Sequence, residues 1–392
     1  MPVNREKNAR IAATQKATRQ RHAGMVCRTF DVKVVSNKLN LRQKEQVNGL
    51  FREAKWIRNS LINDMDSVTD KSNTVSVKVG DHFEERRLEY IGSQIIQSHI
   101  SSVRSEIKGL HTKKEKGYKV GALKCKSYCN SVTLKQYGNT FSINRSKNRI
   151  RVQKISNPFY VRGLKQIPEN AEIACAKFVR EPDGLHFRIT CFIPPQPAEK
   201  TGHIEGIDFG IGHNLTYTDG RTDDICIPES KGIRLASKRV NKGLLRNGGD
   251  KKSHNHRKRV YKLKAAYQKN TNSRRDKANK IVHNILANND FIAIQDEMIH
   301  NWHAGLFGKQ IQHSAMGLIK AKLKLSSKVH VVGRSFPSTQ ICPVCGSMTK
   351  HKLIKRDYDC ACCGYHHDSR DQKSAISILN KALEETQFVI SV

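Results

Sequence analysis

The chain has no long apolar run, no leader-like segment and no lipidation motif, so nothing in it reads as a membrane anchor. With a mean hydropathy of −0.60 it is expected to be soluble, cytoplasmic and without a membrane partner. Acids are also scarce. Against 70 Lys and Arg stand 35 Asp and Glu, a formal charge of +35. Such an excess repels itself in a compact chain and persists mainly where a polyanion neutralises it, which points to nucleic acid. Sequence repeats are absent. The 392 residues suffice for two or three domains.

Eleven cysteines are present, an odd number, which fits reduced thiols better than a disulfide framework. Five of them crowd into residues 342–363. Cys342-Pro-Val-Cys345 and Cys360-Ala-Cys362-Cys363 form two knuckles in which paired sulfurs can face one ion, with Gly346 and Gly364 placed for the tight backbone after each. Cys342, Cys345, Cys360 and Cys363 are the expected ligands of a structural zinc with no open position. Cys362 is then a bystander.

Periodicity divides the chain. Residues 1–25 carry six Lys/Arg and almost no bulky apolar side chains, so a flexible basic arm is expected. Alternation over 26–37 and 118–195 predicts a small β-barrel, with Glu181-Pro-Asp-Gly184 as a hairpin turn. Two helical stripes, Leu41–Leu61 and Leu88–Leu110, make a helical insertion over 38–117, joined by a polar, β-branched loop. After a Pro-rich linker, Pro194-Pro-Gln-Pro197, residues 200–337 and 366–392 alternate strands and helices, with the zinc ribbon inserted over 338–365. The overall class is α/β and α+β multidomain. Within 231–280 lie 18 Lys/Arg but only Asp250 and Asp276, read as two basic helices broken at Asn247-Gly-Gly249.

Three acids fall at element ends in this second half. Asp208 lies in the apolar strand Gly206-Ile-Asp208-Phe-Gly210, where a carboxylate is costly unless paired or on metal. Asp296 and Glu297 end the run Phe291–Ile294, and Asp371 opens the last helix. Taken singly, each has a plain structural use as a turn or helix-end acid. Together they suit two Mg²⁺ ions cutting a phosphodiester.

The segments GIDFGIGHNLTYTDG, NSRRDKANKIVHNI, FIAIQDEMIHNW and RSFPSTQICPVCG…YDCACCGYHHDSRDQKSAISIL resemble the TnpB family, transposon-encoded RNA-guided nucleases related to compact type V CRISPR effectors. The resemblance implies a RuvC-like nuclease domain of RNase H fold, an N-terminal "wedge" barrel and a helical recognition insertion. It implies a guide RNA and double-stranded target DNA as partners, and Asp208 and Asp371 as the first and third metal ligands. The family's usual Glu-Asp-Leu appears here as Gln295-Asp296-Glu297, so Glu297 is expected to serve as second acid, with Asp296 the alternative. The family's Asp-x-Asn-Ala-Ala is Asp371-Gln372-Lys373-Ser374-Ala375. Arg370 is a candidate contact to the scissile phosphate, and Arg257, Lys258, Arg259, Arg274 and Arg275 to a guide–target hybrid held by its backbone. The expected activity is RNA-guided DNA cleavage by a monomer. The alternative is an RNA-guided DNA-binding protein with little or no cleavage, favoured by Gln295. A transposase comes last, since no tyrosine nucleophile constellation is present.

Overall fold

Alternating residues near the end of Val26–Val34 (β1) send Val32 and Val34 inward and leave Asp31 and Lys33 outside. The same two-residue period builds the first half of the chain. This computed structural model describes residues 5–195, 200–246, 248–249, 253–303, 305–352 and 355–387. It divides into two units, residues 1–197 and 198–392.

In the first unit, helix α1 (Arg5–Ala23) precedes β1, and α2 (Leu41–Asn63), a hairpin β2–β3 (Thr74–Val79, His82–Arg87) and α3 (Ser93–Glu115) follow it. Strands β4 (Ser131–Leu134), β5 (Phe141–Asn144), β6 (Arg149–Val152), β7 (Phe159–Arg162), β8 (Glu172–Glu181) and β9 (Gly184–Ile193) complete a near-barrel antiparallel sheet in the order β4-β8-β9-β1-β7-β6-β5. Phe159, Phe178 and Phe187 cluster within this sheet's core, with ring centroids 4.5–5.6 Å apart and Phe178 stacked on Phe187.

Helix α2 begins at a capping box in which Asn40 accepts from the Gln43 amide and Gln43 returns the bond. Its buried Val47, Leu50 and Ile57 join the core formed by the sheet, so the helical insertion and the strands share one interior. Buried Glu53 accepts from three successive amides, of Glu89, Tyr90 and Ile91, and so fixes the approach to α3.

Two expectations need correction here. The basic arm is helical over Arg5–Ala23, as its Ala, Gln, Arg and Lys content permits, and its end is tied down. Arg21 pairs with Glu172 at 2.8 Å and the His22 ring stacks on Phe192. The polar loop between the two helices is instead the β2–β3 hairpin, turning at Gly80.

The second unit is a five-stranded sheet with helices on both faces. Strands β10 (Ile204–Asp208), β11 (Leu215–Tyr217) and β12 (Thr222–Asp223) run antiparallel in sequence. Helices α4 (Lys231–Arg246) and α5 (His254–Asn288) lead to β13 (Phe291–Gln295). Short helices α6 (Ile299–Trp302), α7 (Gly308–His313) and α8 (Met316–Leu323) lead to β14 (Val329–Val332). The order is β12-β11-β10-β13-β14, with β10, β13 and β14 parallel.

Every residue of β13 is buried, as its unbroken apolar run requires for a strand covered on both faces. Ile292 and Ile294 pack with Ile281 of α5 and Ile319 of α8, while Phe291 and Ala293 pack with Ile378 of the last helix, α9 (Arg370–Thr386). Between β14 and α9 lies the cysteine-rich segment with the small ladder β15 (Tyr358–Asp359) and β16 (His366–His367). The expected break between the basic helices falls at Gly248 and Gly249, both at positive φ; Asn247 lies outside the described residues, as do Gln196 and Pro197 of the linker.

Candidate functional site

Residues of alternate parity in β10 face opposite sides, so Asp208 shares the α9 face with Ile204 and Gly206. Helix α9 crosses that face closely. A Cβ on Gly206 would stand 2.3 Å from the Ala375 carbonyl oxygen and 2.9 Å from Leu379 Cβ, so only glycine admits the helix here. Ser369 caps α9 by accepting from the Gln372 amide, which places Asp371 in the first turn as an acid at the helix's positive end. The Gln372 side chain donates to Thr218 O at 3.0 Å and pins this turn to the β11–β12 hairpin.

Asp208 is buried, and its carboxyl is pushed well above the ordinary carboxylate range. Burial is the largest cause, followed by the negative charges of Asp371 and Glu297, with partial relief from Lys373 and Arg370. Asp371 and Glu297 are therefore both brought within electrostatic reach of Asp208. Among the described residues the oxygens of the three acids do not all lie within 4.8 Å of one another, as the four cysteine sulfurs do.

The two candidates for the second acid differ in their commitments. Asp296 is held by Lys324 at 2.6 Å, Lys320 at 2.9 Å and Arg334 at 3.4 Å, and these bonds keep it well below the usual carboxylate range. Glu297 is half-buried, and among the described residues no hydrogen bond or ion pair engages its carboxylate. Its proton affinity is raised, first by burial. Asp296 serves the cations of α8 and the β14 end, which leaves Glu297 available.

The Gln295 side chain has fixed partners of its own. It is 2% exposed, and its Nε2 donates to Phe336 O at 2.6 Å, with Gly333 O and Arg334 O at 3.4 and 3.3 Å. Its Oε1 accepts from Ser338 Oγ at 2.8 Å. An ionised carboxylate cannot donate to a carbonyl, so this pocket selects the amide. Lys373 was marked by the sequence only as a departure from the family. The structure buries it completely, its Nζ donating to Ser338 O and Ile341 O at 2.8 and 2.9 Å.

The cysteine knuckles repeat one geometry. Gly346 N donates to Cys342 O and Gly364 N to Cys360 O, at 3.0 and 3.1 Å, and both glycines have φ +72°. The sulfurs of Cys342 and Cys363 are 3.7 Å apart and those of Cys345 and Cys360 3.5 Å. Tetrahedral thiolates about 2.3 Å from a zinc ion would have edges of about 3.8 Å, so the donor set fits that ion. Cys362 stands exposed and outside the group.

The basic candidates all lie on α5. Arg257, Lys258 and Arg275 are exposed. Arg259 lies against Gly243 of α4, and Arg274 donates to Ile227 O at 3.4 Å, tying α5 to the segment that precedes α4. Arg370 is buried, with one guanidinium nitrogen 3.4 Å from Lys352 O; its Nε, sealed from solvent, has no partner among the described residues. No described helix is long and apolar enough to cross a membrane.

Comparison with known proteins finds two family models on this chain: OrfB_IS605, described as a probable transposase, over residues 182–301, and the Cas12f1-like TNB domain over 316–378. A Streptomyces pristinaespiralis protein named "Putative RNA-guided DNA endonuclease" is 26% identical over 244 residues, which are 60% of this chain and 59% of that protein. The chain thus matches about three-fifths of the length of that relative. A solved structure, the Cas12f1–sgRNA–target DNA complex, aligns over 91% of this chain and 99% of its own with 10% identity and a TM-score of 0.47. The family matches fall on the segments that carry Asp208, Glu297, the four clustered cysteines and Asp371, and they support the resemblance to the TnpB family.

Proposed function

We propose that this protein is an RNA-guided DNA endonuclease whose RuvC-like site uses Asp208, Glu297 and Asp371. The carrying observation is the burial of Asp208 beside two further acids, whose effect on its carboxyl Lys373 and Arg370 relieve only in part. Divalent cations would complete that relief, and these carboxylates would hold two Mg²⁺ ions. Bound there, the ions would supply water activation and stabilise the leaving oxygen. The mixed sheet with helices on both faces supports an RNase H-type core. The four cysteines would hold a structural zinc in the ribbon. The exposed Arg257, Lys258 and Arg275 would meet phosphates of a guide RNA–DNA hybrid, with pairing reading the sequence.

A specific observation favours a second reading, an RNA-guided DNA-binding protein without cleavage. Position 295 carries an amide committed to carbonyls, and Lys373 adds a buried ammonium two residues beyond Asp371. Both lower the anionic charge available to metal. Mg²⁺-dependent plasmid cleavage by the purified ribonucleoprotein, lost in Asp208→Ala, is the expected result. A complex that binds its target and never nicks it would establish the second reading instead.

A further inference from the structure

The segment Gly333–Ile341 leaves β14 and enters the cysteine ribbon, and it has little regular structure to satisfy its backbone. Two buried side chains do so. Gln295 takes its first half, donating to Phe336 O and accepting from Ser338 Oγ. Lys373 takes its second half through Ser338 O and Ile341 O, the latter adjoining Cys342. The Lys373 ammonium also lies 4.0 Å from the centroid of the Tyr358 ring, which is fully buried two residues before Cys360. Tyr358 in turn donates to Gln340 O at 3.1 Å, and Asn380 of α9 reaches Pro343 O at 3.5 Å.

The placement of the two side chains gives this joint its consequence. Gln295 stands two residues before Glu297, and Lys373 two residues after Asp371. Lys373 grips the ribbon stem from the helix that carries Asp371, and Gln295 from the strand end just before Glu297. We infer that Gln295 and Lys373 are positioning residues forming a two-point clasp, through which a metal-loaded ribbon holds the end of β13 and the first turns of α9 in place. The inference rests on the reading that the four cysteines hold zinc, and it is independent of whether the acids cut DNA.

Hydrogen exchange on the full-length protein, with zinc content measured alongside, tests the clasp. Stripping zinc with a chelator should raise exchange at least about tenfold in peptides spanning 292–298 and 370–378, because buried hydrogen-bonded groups lose their fixed partners. In Lys373→Met, which keeps the chain length and removes the charge, the ribbon should still carry zinc. The 370–378 peptide should then exchange fast whether or not zinc is present. Gln295→Leu should do the same for 292–298 alone, and it carries the test should Lys373→Met fail to fold. A protein that carries no zinc overturns both the zinc reading and the clasp. A protein whose zinc can be removed with no change in either peptide, or a Lys373→Met variant that keeps zinc dependence at 370–378, overturns the clasp alone.

Discussion

Replacing Gln295 by Glu restores the residue the family usually carries, so two lines of reasoning give opposite forecasts. If position 295 faces the metal site, the new carboxylate should bind Mg²⁺ and raise cleavage. The structure predicts damage. The Gln295 amide donates to Phe336 O at 2.6 Å in a site that is 2% exposed. A carboxyl there keeps this bond only while protonated, and ionised it turns an anion toward a carbonyl. The lost donor costs about 1–3 kcal/mol. Burial also raises the proton affinity of the introduced group above its unfolded-state value, near 4.3. Stability is therefore best preserved at and below that value and declines by about 1.4 kcal/mol per pH unit above it, until the folded-state group itself ionises. Near pH 8 the total reaches roughly 3 kcal/mol or more, about 6–12 °C in the melting temperature of a unit this size. Gln295→Glu and wild type should thus melt close together near pH 5 and diverge toward pH 8, with Mg²⁺ giving the variant no added stabilisation. A variant that melts like wild type at pH 8, or is selectively stabilised by Mg²⁺ and cuts faster, would refute the orientation assigned to this side chain.

Three further outcomes are expected. His99 of α3 has its Nε2 sealed from solvent without a partner among the described residues, and burial, then the Arg58 charge, lower it from 6.5 to about 4. Because the unfolded chain takes up the proton first, stability should be full above pH 6.5 and fall as pH drops toward 4, by about 3 kcal/mol; urea midpoints at pH 7.5 and 5 should show this for wild type and not for His99→Leu. Gly206→Ala places a methyl 2.3 Å from the Ala375 carbonyl oxygen, so it should cost about 1–3 kcal/mol in urea unfolding and depress cleavage further by displacing Asp371; an unaltered variant would disprove the close crossing of α9. Cys345→Ser should abolish stoichiometric zinc and Cys362→Ser should leave it intact, by metal analysis of the purified protein.

The elements legible in the sequence are those whose signal is local. Phe291–Ile294 is an uninterrupted apolar run, and a strand covered on both faces needs one. The cysteine knuckles carry their geometry in their spacing and following glycines, and Asp208 betrays itself as a charge inside an apolar strand. The β2–β3 hairpin is half legible: Thr74–Val79 alternates polar and apolar residues, but its partner His82–Arg87 has Phe83 as its one large apolar side chain, so no second alternating strand marks the pair. Helix α1 was missed because a polar helix has no apolar stripe, and its anchors Glu172 and Phe192 lie far along the chain.

The acids and their neighbours show where a sequence reading stops. Strand parity favours Glu297 over Asp296 because it shares a face with position 295; the partners that set the two apart, Lys320, Lys324 and Arg334, are brought to Asp296 only by folding. Gln295 and Lys373 look like losses when set against a family pattern, because a pattern records residue type and not partner. Their partners are backbone carbonyls of an irregular stem, and such groups leave no trace in side-chain sequence. A substitution at a family position therefore carries two separable consequences, a ligand withdrawn and a hydrogen bond gained. Here the gained bonds run to the stem of the ribbon, so the same two residues that lower the negative charge near Asp208 tie that stem to β13 and α9.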